Sequence, residues 1–207
     1  MQELSFNEYP EAWQGFLQAC QSCKACELWK SRREIVVYRG SLEAPLMIIG
    51  EGPGREEDLQ GKPFVGRSGR LLDDALEALE FPETSYHICN IVKCRPPENR
   101  APLEEEALAC RRLLSAQFSL VKPRFVLLCG ATAFHYFTGK KDPITRARGI
   151  FIESKGIEVL PTFHPAYILR NMNKRDELWQ DLALMRAKMC ERGEIPLLRH
   201  PLERAGN

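Results

Sequence analysis

Leu46-Met-Ile-Ile-Gly-Glu-Gly-Pro-Gly54 is the stretch that decides the fold. Its apolar run, bounded by Pro45 and Gly50, reads as a short buried strand. The glycine-rich loop follows directly. Toward the carboxyl end, residues 68–80 read as a helix with Leu71, Leu72, Ala75, Leu76 and Leu79 on one face. Tyr86 to Val92 is a second strand, 103–119 an amphipathic helix, and Phe125 to Cys129 a third strand ended by Gly130. A short helix is expected at 131–138. Phe151-Ile152 and Ile157 to Leu160 flank Ser154-Lys-Gly156 as a hairpin whose second arm is the fourth core strand. A last helix covers 173–191. Toward the amino end lie a short β-rich run, Ile35 to Tyr38, and a helix over 7–20 carrying Trp13, Phe16 and Leu17. Alternating strands and helices predict a mostly parallel sheet with helices on both faces. Sites in such folds lie at the carboxyl ends of the strands. Here those ends carry Gly50–Gly54, Asn90, Gly130 and Thr162-Phe-His-Pro165.

The chain has 207 residues, 44% hydrophobic and 28% charged, which is ordinary globular composition and enough for a core without disulfides. Lys plus Arg is 29 and Asp plus Glu 28, a net charge of +1 that excludes a uniformly basic nucleic-acid coat. The distribution is uneven. Residues 120–175 hold ten Lys or Arg against three acids, whereas 51–111 hold thirteen acids against eight bases. The later segment is therefore the expected phosphate-facing side. No apolar run approaches the ~18 residues that span a bilayer. The acidic, amphipathic start MQELSFNEYP is not a signal peptide. The expected location is cytoplasmic, or the nucleoid of a bacterium or archaeon.

Eight cysteines without an export signal point to metal ligation rather than disulfides. Cys23-x2-Cys26 places two thiols on a tight turn. Cys94-x15-Cys110 supplies a second pair, one after a strand and one within a helix. Four thiolates hold either zinc or a [4Fe–4S] cluster. The long second gap makes zinc less natural, and the plain alternative is that Cys94 and Cys110 are small buried residues. Cys20 imitates the start of a ferredoxin motif, but no Cys-Pro follows at the required spacing, so it reads as a spare. Cys89 and Cys129 read as core, Cys190 as incidental, and His87 and His135 lack any functional context. The glycine loop lacks the Lys-Ser/Thr of a P-loop and does not match a dinucleotide fingerprint.

That loop is one of five ordered motifs. Gly50-Glu-Gly-Pro-Gly-Arg-Glu-Glu-Asp58 is followed by Gly61-Lys-Pro-Phe-Val-Gly-Arg-Ser-Gly-Arg-Leu-Leu72. Asn90-Ile-Val-Lys-Cys-Arg-Pro-Pro97, Ala109-Cys-Arg111 and His164-Pro-Ala-Tyr-Ile-Leu-Arg170 complete the set. Together they resemble the iron–sulfur uracil-DNA glycosylases, the type 4 family, over about residues 23–190. The resemblance implies a three-layer α/β/α sandwich with a small, mostly parallel four-stranded sheet. A single domain over 1–192 with an amino-terminal cluster-binding segment is expected, and the Pro- and Arg-containing stretch over 193–207 reads as a poorly ordered tail. The resemblance places a structural [4Fe–4S] cluster on Cys23, Cys26, Cys94 and Cys110, leaving Cys20 outside.

The activity implied is release of uracil from DNA, with cleavage of the base–sugar bond and an abasic product. The base must first leave the stack. By resemblance Phe64 is the stacking face, beside Gly52 and Gly54 of the loop. Asn90 offers an amide donor and acceptor to the uracil edge. His164 donates to uracil O2 as charge develops there. Gly52 stands where other uracil glycosylases carry a catalytic aspartate, so Glu51 is the one carboxylate left in the motif. Arg67 and Ser68 precede a helix whose first amides suit a phosphate. Ile168 or Leu169 is expected to enter the duplex as a wedge, with Arg170 on a phosphate. Uracil-containing DNA is the expected partner, and the protein is expected to act as a monomer. No lysine is assigned a role in the pocket, so strand cleavage is not expected. Two other readings share the fold. A covalently trapping relative would need a basic, histidine-containing insertion after Gly69-Arg70, which is missing. A non-catalytic module would have no need of Phe64, Asn90 and His164 together.

Overall fold

The computed structural model describes residues 10–154 and 156–197. The order of elements is α1 (Glu11–Gln21), β1 (Arg39–Gly40), β2 (Leu46–Gly50), α2 (Arg55–Gln60), α3 (Arg67–Ala78), β3 (Tyr86–Asn90) and α4 (Glu104–Val121). It continues with β4 (Phe125–Cys129), α5 (Ala131–Thr138), α6 (Ile144–Ala147), β5 (Ile152–Ser154), β6 (Ile157–Thr162), α7 (Pro165–Arg170) and α8 (Arg175–Glu191). The sheet order is β1-β3-β2-β4-β6-β5.

The central four strands, β3-β2-β4-β6, are parallel and are the four expected from the sequence. The sheet nevertheless has six strands, because β1 and β5 add antiparallel edges. The β-rich run Ile35 to Tyr38 is not itself a strand; pairing begins one residue later, at Arg39. Its backbone still docks, through the Val36 amide on the Lys93 carbonyl at 2.8 Å. The two-residue edge at Arg39–Gly40 carries too little alternation to be read as a strand, whereas β5 and β6 form the hairpin expected between Phe151 and Leu160. The two edges cap the parallel core and leave little free edge for another chain to pair with.

Alternate side chains of each core strand enter opposite layers. Met47, Ile49, Cys89, Val126 and Leu128 pack with α1, α4 and α5. Leu46, Ile48, Ile88, Phe125, Leu127 and Leu160 pack with α3, α7 and α8. The result is the expected three-layer sandwich. Burial on both faces explains why these strands read as continuous apolar runs.

The start of the expected tail is not loose. Ile195 is buried, the Glu194 amide bonds the Met189 carbonyl, and Arg186 donates to the Pro196 carbonyl at 3.0 Å. Gly193 in the left-handed region lets the chain turn back after α8. Composition alone hides this, because one buried isoleucine does the anchoring. The rest of the expected tail, and the first residues of the expected amino-terminal helix, lie outside the described residues.

Candidate active site

The carboxyl ends of β2, β3 and β6 open into one cleft of about 310 Å³. Glu51, Gly52, Gly54, Phe64, Asn90 and His164 all line it. The sequence separates these residues by more than a hundred positions, and the parallel sheet brings them together.

Two glycines make the close approach possible. Gly50 is in register with Asn90. A Cβ on Gly50 would lie 2.5 Å from Asn90 Oδ1 and 2.5 Å from Phe64 Cζ, so only glycine leaves room for both. Gly130 sits at φ +92°, and a Cβ there would meet His164 Cβ at 2.9 Å. Phe64 itself occupies the left-handed region at φ 55°. Gly69, within α3, is pressed against its carbonyl. A non-glycine residue held there costs of order 1–3 kcal/mol and persists only where its surroundings fix it.

Phe64 is 5% exposed and belongs to the core as much as to the cleft. Its ring is stacked near that of His164, with centroids 5.7 Å apart and planes at 29°. Asn90 is buried, and among the described residues no partner takes up its side-chain amide. His164 is the N-cap of α7, and its Nδ1 accepts the Ala166 amide at 3.1 Å. That bond fixes the tautomer: in the neutral ring the proton sits on Nε2. Burial, with the Arg170 cation adding to it, pulls the His164 pKa down to about 4. The ring is therefore neutral near pH 7 and offers one N–H.

Glu51 accepts a hydrogen bond from Thr132 Oγ1 in the first turn of α5. The carboxylate is held to one side of the cleft. Glu57, within the glycine-loop motif, has a role that the sequence alone does not assign. Its carboxylate accepts the amides of Gly54 (3.1 Å), Val65 (3.0 Å) and Gly66 (2.8 Å). It thereby ties the glycine loop to the turn that carries Phe64. The available signal was an acid three residues after Gly54, the N3 position of a capping box.

The loop between Cys94 and α4 forms the opposite wall, with Pro96, Asn99 and Arg100 facing the cleft. Arg100 is clamped by Glu106 through two bonds of 2.8 and 2.6 Å. The Arg100 bond holds the Glu106 carboxyl below the usual carboxylate range despite its burial. Ser68, Tyr167 and Arg170 line the mouth, and Arg67 is exposed beside them. Ile168 is a correction. It is fully buried in the layer of α3 and α8 and has no exposed surface to act as a wedge. Helical spacing on α7 turns Ile168 inward when Tyr167 faces the cleft. Leu169 is half-buried against the same layer. The basic segment is also less free than its count implies. Arg124, Arg148 and Lys174 pair with Glu194, Asp181 and Glu177.

Cys23, Cys26, Cys94 and Cys110 line a second, smaller pocket. Cys20 does not line it and is buried in the neighbouring core. Arg32 Nη1 donates to Cys94 Sγ at 3.3 Å, and Arg112 Nη2 to Cys23 Sγ at 3.5 Å. Burial pushes the Cys110 thiol up to about 11. The Cys23 thiol lies below its ordinary value, because the Ala25 amide and Arg112 outweigh its burial. Among the described residues no three His, Cys, Asp or Glu side chains close on a point that could hold one metal ion.

The chain matches the model of the uracil DNA glycosylase superfamily over residues 37–183. A type-4 uracil-DNA glycosylase of Thermotoga maritima is 46% identical over 153 residues, covering 73% of this chain and 80% of that protein. The chain belongs to the type-4 uracil-DNA glycosylase family. A second member, from Archaeoglobus fulgidus, is 33% identical over 179 residues, covering 83% of this chain and 90% of that protein. A DNA polymerase of Bacillus phage SP01 is 28% identical over 159 residues, 76% of this chain but 17% of that protein. The family-matched span contains both the cleft and the loop joining it to Cys94 and Cys110. Among the described residues no helix is long and apolar enough to cross a membrane.

Proposed function

We propose that this protein removes uracil from DNA, hydrolysing the bond between the base and its sugar and leaving an abasic site. The observation that carries this reading is the meeting of Phe64, an unpartnered Asn90 amide and a neutral His164 in one cleft. An extruded uracil stacks on Phe64. Asn90 donates to O4 and accepts from N3–H, and cytosine presents the opposite pattern there. As the N1–C1′ bond breaks, electrons move onto the base and charge grows on O2. The His164 Nε2–H stabilises that charge without a prior proton transfer. Water then adds to the sugar cation, and the proton it sheds ends on the departing uracil anion. Glu51, anchored by Thr132, orients that water and lends negative charge to the sugar.

DNA is held by Arg67 and Ser68 at the start of α3 and by Arg170 at the end of α7. Tyr167 at the cleft mouth, with Leu169 beside it, fills the space the extruded base leaves. The fit of an iron–sulfur group rests on the donor set. Four thiols line one pocket, and arginines donate to two of the sulfurs. A zinc ion would need its sulfurs about 3.8 Å apart, from bonds of about 2.3 Å. A [4Fe–4S] cluster takes one thiol per iron and tolerates a wider set. When bound, it braces the Cys94–Cys110 loop and contributes no bond-breaking step. The chain acts as one domain, as a monomer, in the cytoplasm. Among the described residues no lysine lines the cleft, so none is placed to form a Schiff base and the protein does not cut the strand.

The test is single-turnover reaction of a labelled U:G oligonucleotide, followed by alkali. Strand breaks that appear only after alkali are expected. An iron-loaded protein that leaves the oligonucleotide intact would overturn the reading and favour a binding module, as in a chain attached to a polymerase.

A further inference from the structure

Lys93 has 0% exposure, and no bulkier side chain in the described chain is so completely buried. It lines the cysteine pocket. Its Nζ donates to the Asn90 carbonyl at 2.9 Å. Its carbonyl accepts the Val36 amide. Among the described residues no carboxylate forms an ion pair with it. A buried ammonium facing only a carbonyl and thiols lacks a counter-charge, and such burial is costly. Thiolates holding an iron–sulfur group supply that charge, because their negative charge exceeds the positive charge of the iron–sulfur core. Arg32 and Arg112 approach the same pocket from its solvent side, so Lys93 is its interior cation.

Two properties meet in this side chain. It stands against the cysteine pocket, and it grips the main chain of the residue whose amide faces the cleft. We propose that Lys93 is a positioning residue: it is the buried counter-charge of the iron–sulfur group, and its bond to the Asn90 carbonyl passes the state of the cysteine pocket to the base-reading amide. This rests on the function proposed above. It adds a consequence that a purely bracing role does not have. Filling of the cysteine pocket and quality of the uracil site are coupled through one hydrogen bond.

The test compares iron-loaded wild type with Lys93→Met, which keeps an unbranched chain and removes the charge. Iron and sulfide content, the midpoint potential of the cluster, the single-turnover rate at saturating uracil DNA, and affinity for abasic-site DNA are measured together. The expected result for Lys93→Met is a more negative midpoint potential and a release rate down about tenfold. Affinity for abasic DNA should be unchanged, because phosphate contacts lie elsewhere. A variant with full iron content, the wild-type potential and the wild-type rate would overturn the proposal. If Lys93→Met holds no iron, Lys93→Arg decides: restored iron supports the counter-charge, and continued failure overturns it in favour of packing alone. A wild type that binds no iron, or releases no uracil, would instead refute the reading beneath, and the coupling with it.

Discussion

The cleft and the cysteine pocket are joined by the five residues from Asn90 to Cys94, yet they are built by opposite means. The cleft is assembled from strand ends. Glycines at Gly50 and Gly130 remove side chains so that Asn90, Phe64 and His164 approach one another. Its polar groups are left with capacity to spare: the Asn90 amide is unpartnered and His164 keeps its Nε2–H. The cysteine pocket is assembled from loops and helix sides. Its groups are desolvated thiols with cations donating to them. Under the proposed function, one site receives a neutral base and stabilises its developing charge, and the other holds a permanent anion. Changes in the cleft should therefore spoil chemistry while sparing iron, and changes at the thiols should do the reverse first.

The largest expected effect is in the cleft. His164→Ala should slow single-turnover uracil release by about 10²–10³-fold, the usual loss of one preorganised donor to a developing anion. The visible absorbance of the cluster should stay at the wild-type level. Next is Glu57→Ala, which leaves the Gly54, Val65 and Gly66 amides without their acceptor. Release should fall about 10²-fold through misplacement of Phe64. Denaturant unfolding should also show a loss of about 1–3 kcal/mol for the unpaired amides.

Gly50→Ala is a sharper probe, because it adds one carbon where Asn90 and Phe64 already meet. A tenfold to hundredfold loss of release is expected, with a stability cost of about 1–3 kcal/mol for overpacking and full iron content. An unchanged rate would show that the strand end is looser than its contacts imply.

Acidification probes the cleft through His164. The His164 pKa is depressed to about 4 from 6.5, chiefly by burial. A folded-state pKa below the unfolded value means that the unfolded chain binds the extra proton first. Stability from this group is therefore present above pH ~6.5 and is lost as pH falls toward ~4. The release rate should show no inflection at ~6.5, because the folded ring stays neutral through that range. Protonation would also place a hydrogen on Nδ1, against the Ala166 amide it now accepts. A rate profile measured from pH 4 to 8 checks this; an inflection at ~6.5 absent from His164→Ala would contradict a desolvated ring. The smallest effect belongs to Cys20→Ala, which should leave iron and sulfide content unchanged, since Cys20 does not line the pocket.

Much of this was legible before any coordinates. The four core strands announce themselves as apolar runs because both faces are covered, and the polar and glycine residues just beyond them mark the cleft. The edge strand Arg39–Gly40 is too short for period to speak, whereas Ile152–Ser154 is announced by the turn residues that follow it. The wedge was misread for a related reason. A run such as Tyr167-Ile-Leu-Arg170 looks exposed after a loop motif, but a six-residue helix turns Ile168 wholly inward. Glu57 and Lys93 were hidden differently. A charged residue in a charged stretch or beside a ligand cysteine reads as solvated surface. Only the fold shows one collecting three amides and the other buried against Asn90.

The central claim is that uracil is read and released in the cleft, by Asn90 and His164. It is tested most directly by single-turnover release from a U:G oligonucleotide, with visible absorbance recorded on the same samples. Wild type, Asn90→Ala and Cys110→Ala are compared. The account predicts a coloured Asn90→Ala protein with release slowed at least a hundredfold, and a Cys110→Ala protein that loses colour. A coloured Asn90→Ala protein that releases uracil at the wild-type rate would contradict it.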